Sequence, residues 1–176
     1  MHNPAHRFLA LGAVLLAASP LSARPAAASA AERHCYVMLT GAVSKVGELD
    51  HTPMRCLGTY SEVVAAIRGG GVDRSPQAAA PAAPAVATDF VIGTHYDGHG
   101  FTGSSFSVGG SSCIGGWLNT PAGWNDRISS TINGCYRVRH WEHANLAGAS
   151  YDTLGAGGDI NGYMDNRTSS IQYWGS

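Results

Sequence analysis

Residues 124–130 read W-N-D-R-I-S-S, and residues 164–170 read M-D-N-R-T-S-S, nearly the same phrase forty residues later. Both follow one pattern: Asn/Asp, Asn/Asp, two variable residues, Ser/Thr, Ser. Every fixed position carries an oxygen or an amide, groups that either shape turns or hold an ion. Each phrase also closes a longer unit. Residues 96–103, Y-D-G-H-G-F-T-G, place an aromatic, four residues, a hydrophobic residue, one residue and a glycine in order. Residues 141–148, W-E-H-A-N-L-A-G, repeat that spacing at a shift of forty-five. A strand-like run follows each hairpin. The interval from aromatic to phrase is 29 residues in the first copy and 24 in the second. Duplication with this grammar of strands and turns predicts two related β units packed on one another.

The surrounding sequence agrees. Over 89–176, short runs of period-two character (Phe90 to Ile92, Ser105 to Val108, Ile128 to Ile132, Cys135 to Arg139, Ala149 to Leu154, Ser169 to Trp174) are separated by Gly, Asn and Asp clusters. No sustained helical period occurs there, so an all-β sandwich is expected. The chain has 23 glycines, one lysine and only 13% charged residues, which suits turn-rich β structure. From Asp89 onward seven acids face four arginines, the wrong balance for a nucleic-acid partner.

Upstream, residues 75–88 (SPQAAAPAAPAVAT) form an Ala/Pro spacer dividing this domain from a small segment, 31–74. That segment holds one strand-like piece, Cys35 to Leu39, and one helix-like piece, Ser61 to Arg68, with Ser61 as cap and glycines 69–71 as stop. A propeptide, a docking segment and a packed appendage all remain open for it. Residues 1–30 have the make-up of a secretory signal peptide. His6-Arg7 precede an apolar run of eleven, and Ala28-Ser29-Ala30 fits the cleavage rule. Export is therefore expected, with no membrane association after cleavage. Cys35, Cys56, Cys113 and Cys135 show no C-x-x-C spacing. Two disulfides are expected, and the spacer between the pairs favours Cys35–Cys56 and Cys113–Cys135.

The hairpin at 96–103 followed by N-D-R-I-S-S resembles a Greek key of the βγ-crystallin superfamily, in which two such motifs make a domain. The likeness covers 89–176, with key one at 89–134 and key two at 135–176. Its style is closest to the actinobacterial secreted branch, which includes a metalloproteinase inhibitor and a killer-toxin-like protein. The resemblance implies a Greek-key β-sandwich, here preceded by a small disulfide-bonded α+β segment. It also implies that the two phrases lie together and bind two Ca²⁺ ions. Ca²⁺ takes about six to eight oxygens at roughly 2.3–2.6 Å. Asn125, Asp126, Asp165 and Asn166 offer side-chain oxygens, and Arg127 and Arg167 offer backbone carbonyls. Ser129 and Ser169 offer hydroxyls, and the hairpin backbone at Gly98-His99 and His143-Ala144 completes each site. A third-position carbonyl of one phrase and a fifth-position hydroxyl of the other are expected at one ion, while Ser130 and Ser170 bond within the loops. Few formal charges per site imply weak affinity, about 10⁻⁵ to 10⁻³ M.

Other constellations are weaker. His95, His99, His140 and His143 have zinc-like spacings, but their glycine and aromatic neighbours point to exposed loop histidines. No H-E-x-x-H, G-x-S-x-G or P-loop occurs, and no enzyme activity is expected. The expected partners are calcium and, as an alternative role, a secreted metalloproteinase, for which C-I-G-G-W-L-N-T-P-A-G-W at 113–124 is the candidate presenting loop. A killer-toxin-like role is a third possibility. A monomer is expected.

Overall fold

A computed structural model of the chain describes residues 31–40, 47–69 and 89–175. The expected signal peptide and the 75–88 spacer lie outside the described residues.

Key one contributes β3 (Phe90–Tyr96), β4 (Ser105–Gly110), β5 (Ile114–Asn119) and β6 (Ser130–Asn133); key two contributes β7 (Arg137–His143), β8 (Ala147–Leu154), β9 (Gly157–Asp159) and β10 (Ser170–Trp174). Each key gives its third strand to the other sheet. The first sheet runs β4-β3-β6-β9 and the second β5-β10-β7-β8. The expected Greek-key sandwich is therefore present, and its halves are interlocked rather than merely stacked. Ile92, Phe106, Val108, Ile128, Val138, Ile160, Met164 and Ile171 fill the space between the sheets. Gly103 and Gly148 both sit at φ 79°, where the hairpins fold over and a Cβ would be strained.

Two strands escaped the sequence reading. β9 is three residues long, too short for a period to show. β5, which the sequence offers as part of a presenting loop, instead pairs along β10 in the second sheet. The longer interval in key one is spent before Asn119, on this strand and on the link carrying Cys113, which is bonded to Cys135. The turn after it matches its counterpart in key two. Trp124 N–H donates to the Pro121 carbonyl at 2.9 Å, and Met164 N–H to Asn161 at 3.0 Å.

The N-terminal segment is built into this sandwich. β1 (His34–Met38) pairs parallel with β4, extending the first sheet, and β2 (Arg55–Leu57) pairs antiparallel with β1 through the Cys35–Cys56 disulfide. The backbone at 47–49 bonds to Trp117 on the β5 edge of the second sheet, with Leu49 N–H on the Trp117 carbonyl at 2.7 Å. One segment thus covers an edge of each sheet. Val37 and Cys35 join the core between the sheets, while Tyr36 and Met38 face outward, under α1 (Tyr60–Arg68). Val63 and Ile67 of α1 pack on that outer face. Small outward residues on β4 leave room for the cover. A Cβ on Gly109 would lie 2.6 Å from Met38 Sδ and 2.7 Å from Ile67 Cγ2. The helix cap is Thr59, in a capping box with Glu62, and Ser61 lies inside the first turn instead. Among the possibilities open for this segment, the described residues form a packed appendage in one compact unit with the sandwich.

Candidate functional site

Both phrases fold alike because their residue types impose it. Asp126 and Asn166, the second positions, take φ 56° and 55°, a left-handed conformation that Asp and Asn tolerate better than most residues. The turn reading of the phrase is therefore correct, but it accounts for these two positions alone. At the sixth position, Ser130 Oγ donates to the Gly98 carbonyl at 2.6 Å and accepts the Phe101 N–H at 3.0 Å. Ser170 Oγ donates to the His143 carbonyl at 2.7 Å and accepts the Leu146 N–H at 3.1 Å. These serines tie each phrase to its own hairpin, where bonds within the loops were expected.

The fifth positions reach across. Ser169 Oγ donates to the Glu142 carbonyl at 2.8 Å and lies 3.3 Å from Asp126 Oδ1 of the other phrase. Ser129 Oγ lies 3.3 Å from Asn166 Oδ1, again in the other phrase. Backbone bonds hold the crossing in register. Asp126 N–H donates to the Thr168 carbonyl and Asn166 N–H to the Ile128 carbonyl, each at 3.1 Å. The side chain of the second position thus meets the fifth-position hydroxyl of the other phrase, beside the third-position carbonyl expected to share an ion with it. The hairpin carbonyls of Gly98, Glu142 and His143 each accept a serine hydroxyl, those of Gly98 and His143 from the sixth position of their own phrase and that of Glu142 from the fifth.

Arg127 and Arg167 turn their side chains away from an ion-binding role. Arg127 pairs with Asp97 at 2.6 Å and lies over the Trp124 ring at 4.7 Å. Arg167 pairs with Glu142 and donates to the Tyr163 carbonyl. Asp97 and Glu142 follow the hairpin aromatics, so each arginine clamps its phrase to its hairpin. Nothing in the sequence marks these pairs except the doubling itself.

At the second hairpin the arrangement leaves a cleft of about 350 Å³ lined by Asn125, Asp126, Glu142, His143, Ala144, Asn166, Arg167 and Ser169. Its donors are carboxylate, amide, hydroxyl and carbonyl oxygens, the set for a hard cation. Asp126 makes no ion pair with the described residues; Asn125 Nδ2 braces its Oδ2 at 2.8 Å. At the first hairpin, Asp165 Oδ1 is buried without a hydrogen-bond partner. A buried carboxylate oxygen left unpaired is costly, and a cation beside it would remove the cost. The residues present fit Ca²⁺.

The histidines divide otherwise than expected. His95 and His140, at equivalent positions of the two keys, are fully buried in the core with ring centroids 5.5 Å apart. His95 Nε2 meets the Tyr173 hydroxyl at 2.8 Å. Burial pushes both imidazoles down, His95 well below its ordinary value and His140 to about 3; each histidine also feels a neighbour, His140 lowering His95 and Asp152 raising His140. Only His99 and His143 are exposed hairpin residues. No group of three or more His, Cys, Asp or Glu arranged to hold a metal occurs among the described residues.

No protein-family model matches the chain, and no curated protein is significantly similar to it. Solved structures are similar to part of it. A βγ-crystallin domain from Clostridium beijerinckii shares 16% identity, covering 47% of this chain and 97% of that one at a TM-score of 0.38. A βγ-crystallin domain from Flavobacterium johnsoniae shares 24% identity, covering 46% and 91% at 0.35. The N-terminal domain of protein S shares 20%, covering 46% and 91% at 0.36. Two of these three are βγ-crystallin domains by name, the superfamily that the doubled motif resembles.

Proposed function

We propose that the protein is a secreted, non-enzymatic, calcium-binding βγ-crystallin-like protein in which two Ca²⁺ ions per chain brace the two keys against each other. One observation carries the proposal: the fifth-position serine of each phrase meets the second-position Asp or Asn of the other, at Ser169–Asp126 and Ser129–Asn166. Turns alone need no such crossing. When bound, the ion supplies positive charge that lets these acceptor oxygens converge; the chain supplies the rest. The serine and arginine anchors hold each phrase on its hairpin, and the exchanged strands fix the distance between phrases. Two disulfides suit the oxidising conditions outside a cell.

A role as metalloproteinase inhibitor draws less support. Residues 114–119 are a paired strand, and only the turn at 120–123 is left to enter a protease cleft. Calorimetric titration of EDTA-treated protein tests the main proposal. Two ions per chain are expected, and Ser169→Ala should weaken one of them by about tenfold, the scale of one lost polar contact. Absence of calcium binding at millimolar concentration would dismiss the function.

A further inference from the structure

The two halves of the site obey one pseudo-symmetry but not one chemistry. Asn125 and Asp165 are equivalent, as are Asn119 and Asp159, at the forty-residue offset of the phrases. The structure confirms the second equivalence. Asn119 Oδ1 accepts the Asn145 N–H at 2.9 Å, and Asp159 Oδ1 accepts the Gly100 N–H at 2.7 Å, one in each hairpin turn. At the next residue inward, Ala144 of the second hairpin corresponds to His99 of the first. Ala144 lines the cleft with a side chain of one methyl group. His99 puts an imidazole there, and its two nitrogens face two carboxylates. Nε2 lies 3.4 Å from Asp165 Oδ2 and Nδ1 lies 3.7 Å from Asp159 Oδ2.

The consequence concerns which carboxylate is ready for an ion. At the second hairpin, Asp126 is braced by neutral groups, Asn125 and Ser169, and has no ion-pair partner among the described residues. At the first hairpin, one oxygen of Asp165 is buried and unpaired while the other faces His99. An ion binding Oδ2 of Asp165 would compete with the ring for that oxygen.

Resting on the calcium reading above, we propose that His99 caps the site at the first hairpin. The second-hairpin site fills first, and the first-hairpin site fills only as the His99 ring swings off Asp165 and Asp159. The chain thereby converts a symmetric pair of sites into a graded one. The two contacts are partly exposed, so the cap is worth only a modest factor, up to about fivefold in the affinity of one site. Asp165, Asp159 and His99 stand around the first hairpin where Asn125, Asn119 and Ala144 stand around the second.

The copy also supplies the test. His99→Ala installs the residue that the equivalent turn already carries, and Ala144→His does the reverse. Calcium titrations by calorimetry on the EDTA-treated full protein give the affinities. Amide NMR of Gly100 and Asn145 reports which hairpin responds, and near-ultraviolet circular dichroism confirms that each variant is folded. In the wild type, Asn145 should shift at lower calcium than Gly100. His99→Ala should tighten the weaker site by about fivefold and leave the stronger unchanged, so that both amides shift together. Ala144→His should weaken the site at Asn145. Two equal sites in the wild type, or a His99→Ala variant that binds as the wild type does, would overturn the cap while leaving calcium binding intact. A weaker site in His99→Ala would make His99 a ligand and overturn it too. Absence of any binding would remove the calcium reading itself and the cap with it.

Discussion

Acidification should unfold this protein through its core before its surface carboxylates titrate. His95 and His140 are fully buried at equivalent positions, 5.5 Å apart, and three of their four ring nitrogens have no hydrogen-bond partner. His95 packs against Phe106, Tyr173 and His140, and His140 against His95, with Asp152 acting on His140 and itself bound by Arg139 at 2.6 Å. Burial holds His140 at about 3, whereas an unfolded histidine titrates near 6.5. Between those values the unfolded chain binds a proton that the folded chain refuses, so stability rises with pH across the window and falls as pH drops through it. At about 1.4 kcal/mol per unit, His140 alone costs roughly 2 kcal/mol at pH 5, and His95 adds to the loss in the same direction. Carboxylates held low, such as Asp152 with its Arg139 partner, lose their contribution in the same direction but only below about pH 4. The window from pH 6.5 to 4.5 therefore isolates the histidines. Chemical denaturation with EDTA present, followed by tryptophan fluorescence at half-unit steps, measures the slope. Stability unchanged between pH 7 and pH 5 would refute the argument. The variant His140→Phe should flatten part of the slope even if its stability at pH 7 is lower.

Three further outcomes are expected. Raising free calcium from nil to ten times the dissociation constant should add about 1.4 kcal/mol per site, seen as a rise of several degrees in a scanning-calorimetry midpoint. A fragment of residues 89–134 should remain unfolded by circular dichroism and bind no calcium, because β5 has lost β10 and both crossing oxygens are gone; a folded fragment binding one ion would show that the keys are self-contained. Ile67→Ala should cost about 2–5 kcal/mol in the same denaturation transition that reports the sandwich, since Ile67 is fully buried against β1 and β4. A separate, earlier transition for the N-terminal segment would refute its integration.

Local chemistry made much of this legible. The phrase at 124–130 and its copy specify Asp126 and Asn166 at positive φ, and the hairpin spacing specifies Gly103 and Gly148 likewise, because few residues tolerate that backbone. The disulfide partners followed from the spacer between the cysteine pairs. The strands around buried Phe106, Val108 and Ile171 could be read from their alternation of apolar with small or polar residues, although the structure buries both faces of β4 and β10.

What escaped was whatever depends on a second surface. His95 and His140 resemble loop residues in sequence, yet they lie on β3 and β7 and are fully buried, and no local property says how deep a strand residue is buried. β5 looked like a presenting loop because its glycines carry no period; Gly116 is glycine because Leu49 of the N-terminal segment packs where its Cβ would be, at 2.5 Å. The crossing of Ser169 to Asp126 and Ser129 to Asn166, and the meeting of His99 with Asp159 and Asp165, join residues between 37 and 66 positions apart. Sequence by itself determined the two repeated units, their turns and their oxygen-rich phrases, since these follow from backbone sterics over a few residues. Only the exchange of β5 and β9 between sheets decided which oxygens face one another, because that distance is set by long-range pairing and by no residue's own preference.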